Sequence, residues 1–456
     1  MGTARPVLDL GTLIDRRDWS GFQKYLLCLV SFIIFLDGFD TQTLTLALPA
    51  IIKLWHSSKA DFGPIIGIGF IAMAAGTYFG GNLADRVGRR PALIVSMLVF
   101  GIGTFAGAFV QDLWQLAGAR IVAAIGLGAA MPNATALITE YTPFHRRTLA
   151  VSVAMGSVPV GAFVGGMLAA FVLPSLGWRW LFAISGALPV LASFALMLTL
   201  PESIRFLLHR RGDQARVRRL LTRMGHDIPE GATVVDEAES TTESNGSRPG
   251  VRTILGAPYG LRTVTLSLAF FFVLFANMLI ISWVPTLLAD AGFDLSVTSK
   301  ALALFSIGGL IGSVGGAALL RRTGAATRVM IMAALAVAMS TVLAAVHWSP
   351  ATSSVAALLC AMLGAGCFIP GTQVLLFGLA GSAYPTAMRG TGVGFTAATG
   401  RIGAVTSGFA GAALLASGSS AFFGAAGAAM VAVIAAVAVL RLSQTSAPAV
   451  QSPAYP

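Results

Sequence analysis

The sequence predicts an all-α integral membrane protein of twelve transmembrane helices arranged in two six-helix halves. Three observations carry this prediction. Apolar residues make up 56% of the 456-residue chain and charged residues only 11%, a profile of packed membrane helices and not of a soluble core. Polar stretches cut the chain into twelve apolar segments, near the ~20 residues that a helix needs to cross ~30 Å of hydrocarbon. The longest interruption, from Pro201 to Arg262, leaves six segments on either side.

Each segment is bounded by residues foreign to hydrocarbon. The first, 25–50, follows a polar leader and stops short of Lys53 and Lys59; the second, 61–84, closes on Arg86, Arg89 and Arg90. The third and fourth, 91–111 and 113–139, part at Asp112, and the fourth gives way to Arg146 and Arg147. A Ser-Leu-Gly break divides the fifth, 148–174, from the sixth, 178–200. The second half reads 263–288, 298–320, 327–347, 352–380, 390–416 and 420–440. Its breaks fall at Asp290 and Asp294, at Arg321 and Arg322, after His347, at Arg389, and at a Ser-Gly-Ser turn.

Charge sets the orientation. With the N-terminus inside, Arg5, Arg16, Arg17, Lys24, the second-segment and fourth-segment arginines, ten residues from Arg205 to Arg262, and Arg321, Arg322, Arg328, Arg389 and Arg441 all fall on the cytoplasmic side. The opposite side has Lys53, Lys59, Arg179 and Lys300. This asymmetry predicts both termini in the cytoplasm, so the net charge of +11 is topological and calls for no nucleic-acid partner; the partner is the lipid bilayer of the inner (plasma) membrane. The domain plan is a cytoplasmic leader (1–24), an N-terminal six-helix bundle (25–200), a cytoplasmic central loop (201–262), a C-terminal six-helix bundle (263–441) and a cytoplasmic tail (442–456). The leader lacks a signal-peptide layout, because the apolar run after it is too long and carries two acids. In the central loop, ESIRFLLHRRGDQARVRRLL has apolar residues at helical spacing and is expected to lie along the membrane surface in a structural role, whereas Asp236 to Gly250 reads as disordered.

Asp37 and Asp40 interrupt the first segment. A carboxylate near the bilayer centre costs at least ~2.5 kcal/mol, so such a residue marks an ion or substrate pathway; the i, i+3 spacing puts both acids on one helical face. The three cysteines, Cys28, Cys360 and Cys367, lie in apolar spans and read as small packing residues. All five histidines sit in loops or at span ends, so no metal, cofactor or intramembrane nucleophile is expected and the chain does not read as an enzyme.

The two halves carry a degenerate repeat. The loop after the second segment reads GGNLADRVGRRP, from Gly80 to Pro91, and the loop after the eighth reads GGAALLRRTGAATR, from Gly315 to Arg328, with Leu320 where the first has Asp85. Repeats that rock about a site near the midplane are a recurring transporter plan. Gly81 and Gly88 allow close helix approach, and Asp85, Arg86, Arg89 and Arg90 are placed to bridge helix ends as a cytoplasmic gate.

On these residues the chain resembles the major facilitator superfamily, whose loop signature is G-x-L-A-D-R-x-G-R-R. LDGFDTQ in the first segment, RIVAAIGLGAAMPNATALITEYTP from Arg120, PESIRFLL, WVPTLLADAG and YPTAMRGTGVGFTAATGRIGAV from Tyr384 narrow the resemblance to the aromatic acid:proton symporter family. The leader is similar to that of its 4-hydroxybenzoate and protocatechuate carriers. The resemblance implies a major facilitator fold, a small aromatic carboxylate and protons as partners, and proton coupling at Asp37 and Asp40, titrating as a coupled unit.

Two basic residues lie well inside the spans, Arg120 and Arg401. Arg401 stands roughly 17 Å from the cytoplasmic end of its helix and is the first choice to grip the substrate carboxylate bidentately. Arg120, the second candidate for substrate binding, either serves coupling or forms an ion pair with Asp40. Arg389 reads as a gate or topology residue. Phe39, Trp283 and Phe395 are candidate walls for the ring, and Gln42, Asn133, Asn277 and Gln373 either read ring hydroxyls or satisfy backbone near Pro132 and Pro370. Alternating access in a monomer is expected; the alternatives are a drug/proton antiporter of the same fold, for which GSVPVGAFVGG (Gly156 to Gly166) has the wrong order, and a sugar or organic-ion carrier.

Overall fold

Hydrocarbon offers no partner to a backbone amide, so a chain of this composition must satisfy its hydrogen bonds within helices. The computed structural model describes residues 7–16, 19–208, 212–229, 232–236, 251–257, 259–320, 322–346, 348–351, 354–384 and 388–445. Among them are twelve helices of 18 residues or more. The first six are α1 (Gly21–Trp55), α2 (Lys59–Val87), α3 (Arg89–Ala106), α4 (Leu113–Tyr141), α5 (Phe144–Ser175) and α6 (Trp178–Thr199). The second six are α7 (Gly260–Asp290), α8 (Leu295–Leu319), α9 (Ala325–Ala345), α10 (Val355–Ala383), α11 (Arg389–Ala416) and α12 (Ser419–Thr445).

Eleven of the twelve are long and apolar enough to cross a membrane. The twelfth, α11, has 28 residues, enough length, but Arg401 and its glycines and threonines lower its mean hydropathy. Most helices overrun the apolar segments because terminal turns tolerate polar residues. At the start of α1, Ser20 and Gln23 form a reciprocal capping box, and the Gln23 amide also donates to the Tyr141 carbonyl at the end of α4, at 2.6 Å.

The chain divides into two compact units, Met1–Ser57 with Ile68–Gly246, and Ser58–Gly67 with Ser247–Pro456. Inside each, the closest contacts are between backbones. A Cβ added at Gly38 would come within 1.9 Å of the Val158 carbonyl oxygen, and one at Gly161 within 2.0 Å of that of Phe35, so α1 and α5 touch in both directions. Gly76 and Gly128 do the same for α2 and α4, against Ile125 and Met73. The second unit repeats the scheme: Gly312 and Gly366 bring α8 and α10 together against Cys367 and Phe305, and Gly403 sets α11 on the Phe271 carbonyl of α7. The repeat seen in the loops is thus also a repeat of helix pairing.

The leader and central loop depart from expectation. Val7–Asp9 and Thr233–Val235 pair as parallel strands, with Leu8 opposite Val234. Asp9 then caps the short helix Leu10–Asp15 by accepting from the Thr12 amide. Gln214, opening the helix Gln214–Arg223, bonds both backbone groups of Val234, acting as a further strand partner. Leu10, Leu13, Ile14, Val217, Leu221 and Val234 are buried and continuous with the core of the first bundle. Residues 204–208 and 212–223 therefore do not form an independent amphipathic segment; their apolar side chains share one core with those of the leader, each contributing about 1.5–3 kcal/mol of burial. Arg205 pairs with the buried Asp236 at 3.2 Å. The stretch expected to be disordered falls, beyond Asp236, outside the described residues.

The cysteines also depart from expectation: Cys28 and Cys360 are exposed on their helices, and only Cys367 is partly covered, all three being free.

Backbone contact makes a sharp prediction. Gly38→Ala forces α1 off α5 and should lower the melting temperature of the purified protein by several degrees, an overpacking cost of ~1–3 kcal/mol. Gly81→Ala, with nothing within 4 Å of an added Cβ, should leave it unchanged; equal melting temperatures for the two variants would contradict the packing.

Candidate functional site

The first unit holds its acids in the turn of α1 that lies closest to α5. Asp40 has no exposed surface, and Asp37, one turn nearer the helix N-terminus, is 8% exposed. Arg120 of α4 donates to Asp40 Oδ2 at 3.1 Å and to Oδ1 at 3.4 Å, and Thr104 of α3 donates to Oδ1 at 2.9 Å. Of the two acids it is Asp40 that holds Arg120, whose side chain is 14% exposed. Phe39 is buried beside Phe35, with centroids 6.3 Å apart, and its backbone packs on Gly165. Gln42 is buried on the same helix. Asn133 donates to the Gly80 carbonyl of α2 at 3.1 Å and to its own helix at the Ala129 carbonyl at 2.9 Å, so its amide hydrogens tie helices together.

The second unit carries the other polar residues. Arg401 is half-buried on α11 between Gly400 and Gly403, which press on the Phe270 and Phe271 carbonyls of α7. Phe395 is half-buried on the same helix. Trp283 is fully buried against Gly411, with no hydrogen-bond partner for its indole N–H among the described residues. Asn277 donates to Gln373 Oε1 of α10 at 3.0 Å. Each buried polar atom left without a partner costs about 1–3 kcal/mol. A cavity of ≈ 250 Å³ lies at the far end of α7, lined by Asp290 and Trp348 among others; it includes none of these residues and no cation to receive a carboxylate. Beside it, Lys59 pairs with Asp290, both about two-fifths exposed, a surface pair worth ~0–1 kcal/mol.

The signature loop forms a charged cluster, but not the one expected. Asp85 and Arg86 are exposed and, among the described residues, make no ion pair. The carboxylates that bridge helix ends are Glu140 and Glu202. Arg89 Nε donates to Glu140 Oε1 at 2.6 Å, and the Ser203 hydroxyl donates to Glu140 Oε2. Glu202 accepts from the Arg90 and Ser203 amides at 3.1 and 2.9 Å, and the Arg90 guanidinium reaches the Met197 carbonyl. Gly88, at φ 108°, sits so close that a Cβ would meet the Glu202 carboxylate at 2.5 Å. Gly81, by contrast, faces open space. Both glutamates stand in the strings ITEYTP and PESIRFLL, and the signal for them was an acid at a span end opposite a basic loop. Tyr141, which follows Glu140, donates to the Glu202 carbonyl at 2.5 Å. Its counterpart just past α10, Tyr384, donates to Thr263 Oγ1 at 3.0 Å, and burial pushes its phenol above the ordinary value. The side chain of Arg389 lies outside the described residues, as do Pro385 to Ala387.

Comparison with known proteins agrees with this architecture. The model of the Major Facilitator Superfamily matches residues 30–408. The chain is 35% identical over 415 residues to the 4-hydroxybenzoate transporter PcaK of Pseudomonas putida, covering 90% of each chain. It is 31% identical over 411 residues to a gallate transporter of the same organism, again covering 90% of each. Among solved structures, the xylose transporter XylE of E. coli superposes with a TM-score of 0.71 at 18% identity, over 92% of this chain and 96% of that one, a likeness of fold.

The Asp40–Arg120 pair can be tested by removal. Arg120→Ala leaves a carboxylate buried without its cation, a loss of about 3–5 kcal/mol, whereas Asp40→Asn with Arg120→Gln removes both charges and should recover most of the melting temperature. A double variant no more stable than Arg120→Ala alone would show that the pair is not what Arg120 contributes.

Proposed function

The chain belongs to the Major Facilitator Superfamily, and from that premise we propose that it imports an aromatic carboxylic acid, 4-hydroxybenzoate, protocatechuate or a related benzoate, together with a proton. The observation that carries the reading is a pair of buried carboxylates in α1 of a chain alike over nine-tenths of its length to transporters named for hydroxylated benzoates. The protein moves its substrate and does not transform it. The bias of lysine and arginine supports a plasma-membrane location with both termini in the cytoplasm.

The residues divide the work. Asp40 is committed to Arg120 and Thr104, so its charge is balanced in place and it holds the turn. Asp37, one turn away on the same face, takes the proton. A proton there removes a buried charge and lowers the cost of moving α1 through the transport cycle. The substrate anion binds with its carboxylate on Arg401, whose planar guanidinium matches both oxygens. Protonation on the acidic side, binding, exposure to the other side and release in that order give accumulation driven by the proton gradient.

Uptake of labelled 4-hydroxybenzoate into proteoliposomes with an imposed pH gradient tests this. Wild type should accumulate the acid, and an uncoupler should abolish accumulation. Asp37→Asn should lose gradient-driven accumulation and keep exchange of internal for external substrate; accumulation at the wild-type rate in Asp37→Asn would sink the proton assignment. Arg401→Ala should weaken binding of the acid by roughly tenfold or more, the value of a hydrogen-bonded charge; unchanged affinity moves the carboxylate elsewhere. Efflux of cationic drugs with no uptake of any aromatic acid would favour an antiporter.

A further inference from the structure

We infer that Asn277, held by Gln373, is the acceptor that reads a ring hydroxyl para to the substrate carboxylate. The inference rests on the reading of Arg401 as the carboxylate residue and adds the hydroxylation pattern the protein selects. It begins from an unfilled valence. Asn277 is 6% exposed; its Nδ2 donates to Gln373 Oε1 at 3.0 Å, and its Oδ1 has no hydrogen-bond partner among the described residues. A carboxamide oxygen can only accept, and buried polar atoms without partners are rare enough to call for a reason. Among the described residues, four such side-chain atoms belong to α7: Ser267 Oγ, Asn277 Oδ1, Trp283 Nε1 and Thr286 Oγ1. Of these, Asn277 has a neighbouring side chain fixing its other end, so the amide edge left over is the acceptor.

Its height on the helix selects the ligand. Gly400 and Gly403 of α11 lie on the Phe270 and Phe271 carbonyls of α7, which puts Arg401 level with those phenylalanines. Asn277 is six residues farther along α7, about 9 Å at 1.5 Å per residue. Phe270 and Asn277, two turns apart, share one face of the helix, and both meet α10: Phe270 against the Phe377 ring at 4.8 Å between centroids, and Asn277 through Gln373. A 4-hydroxybenzoate, about 6–7 Å between its carboxylate and para oxygens, together with a hydrogen bond of about 2.8 Å at the hydroxyl, spans a distance of that order. An ortho hydroxyl stays beside the carboxylate and cannot reach. With unsubstituted benzoate bound, Oδ1 stays empty, and a site built to bond a hydroxyl discriminates against the analogue lacking it.

Equilibrium binding to the purified full-length protein tests the proposal with 4-hydroxybenzoate, 2-hydroxybenzoate and benzoate. Wild type should prefer the para-hydroxylated acid over benzoate by roughly tenfold, the worth of one buried hydrogen bond and its unmet counterpart, and should show no such preference for the ortho isomer. Asn277→Leu should bring the ratio near unity, chiefly by weakening 4-hydroxybenzoate. Asn277→Asp, whose carboxyl offers an acceptor oxygen in either protonation state, should keep the preference. Should Asn277→Leu not yield folded protein, Gln373→Leu frees the amide and should lower the ratio. A wild-type ratio surviving in Asn277→Leu or Gln373→Leu, or benzoate weakened as much as 4-hydroxybenzoate, overturns the assignment. Failure of the underlying reading is distinguishable, because wild type would then bind none of the three acids, or Arg401→Ala would bind all three as tightly as wild type.

Discussion

In a bilayer, apolar side chains gain nothing by leaving lipid for protein, so what holds two helices together is how closely their backbones approach. That constraint governs this molecule. Gly38 brings α1 against α5 at the one turn that also carries Asp37, Phe39 and Asp40. Any residue larger than glycine there would shift the turn and, with it, both acids. The proton-handling chemistry proposed for α1 therefore depends on a contact that contains no polar side chain. The same holds in the second unit, where Gly400 and Gly403 fix Arg401 by pressing α11 onto α7 from either side of it.

Charge inside the protein is used in two ways that burial separates. Asp40 and Arg120 are withdrawn from solvent and matched by a cation, a carboxylate and one hydroxyl. Such a pair adds little net stability but is costly to break singly, which suits a part that must keep one geometry. The cluster of Arg89, Arg90, Glu140 and Glu202 sits at helix ends, and its carboxylates take backbone amides as well as guanidinium groups. It fastens the start of α3 to the end of α4 and to the segment after α6. Lys59 and Asp290, both partly exposed, contribute least and are the easiest of these ion pairs to open.

How much of this is legible in the sequence depends on the range of the interaction. Helices are local, so the apolar segments foretell all twelve, including α11, whose composition alone falls short of a span. The acids are legible because a charge in hydrocarbon is conspicuous wherever it stands. What the sequence hides is partnership. Asp85 looks like the bridging acid of its loop because it is adjacent in sequence, yet Glu140 and Glu202, distant in the chain, hold the arginines. The strands Val7–Asp9 and Thr233–Val235 are three residues each and lie at opposite ends of the first unit's sequence, too short to show a period and paired only through the fold. Cys28 and Cys360 look like packing residues in the sequence because they are apolar in an apolar span, but periodicity does not separate a lipid-facing position from a core one when both sides are apolar.

The repeat gives the last step. Both units pair the corresponding helices through glycine, but they have filled the frame with different chemistry. The first has the acids, Asp37 and Asp40, with Arg120 and the Thr104 hydroxyl, beside the buried amides Gln42 and Asn133; the second has Arg401 and the amides Asn277 and Gln373. An amide does not change charge with pH, so the hydroxyl recognition proposed for the second unit stays constant while a proton is taken up, as proposed, in the first. A protein that used carboxylates for both tasks would lose its selectivity each time it took up a proton. On the proposed roles, placing the acids in one copy of a duplicated helix frame and the hydroxyl-reading amide in the other keeps the energy source and the recognition of the cargo chemically independent.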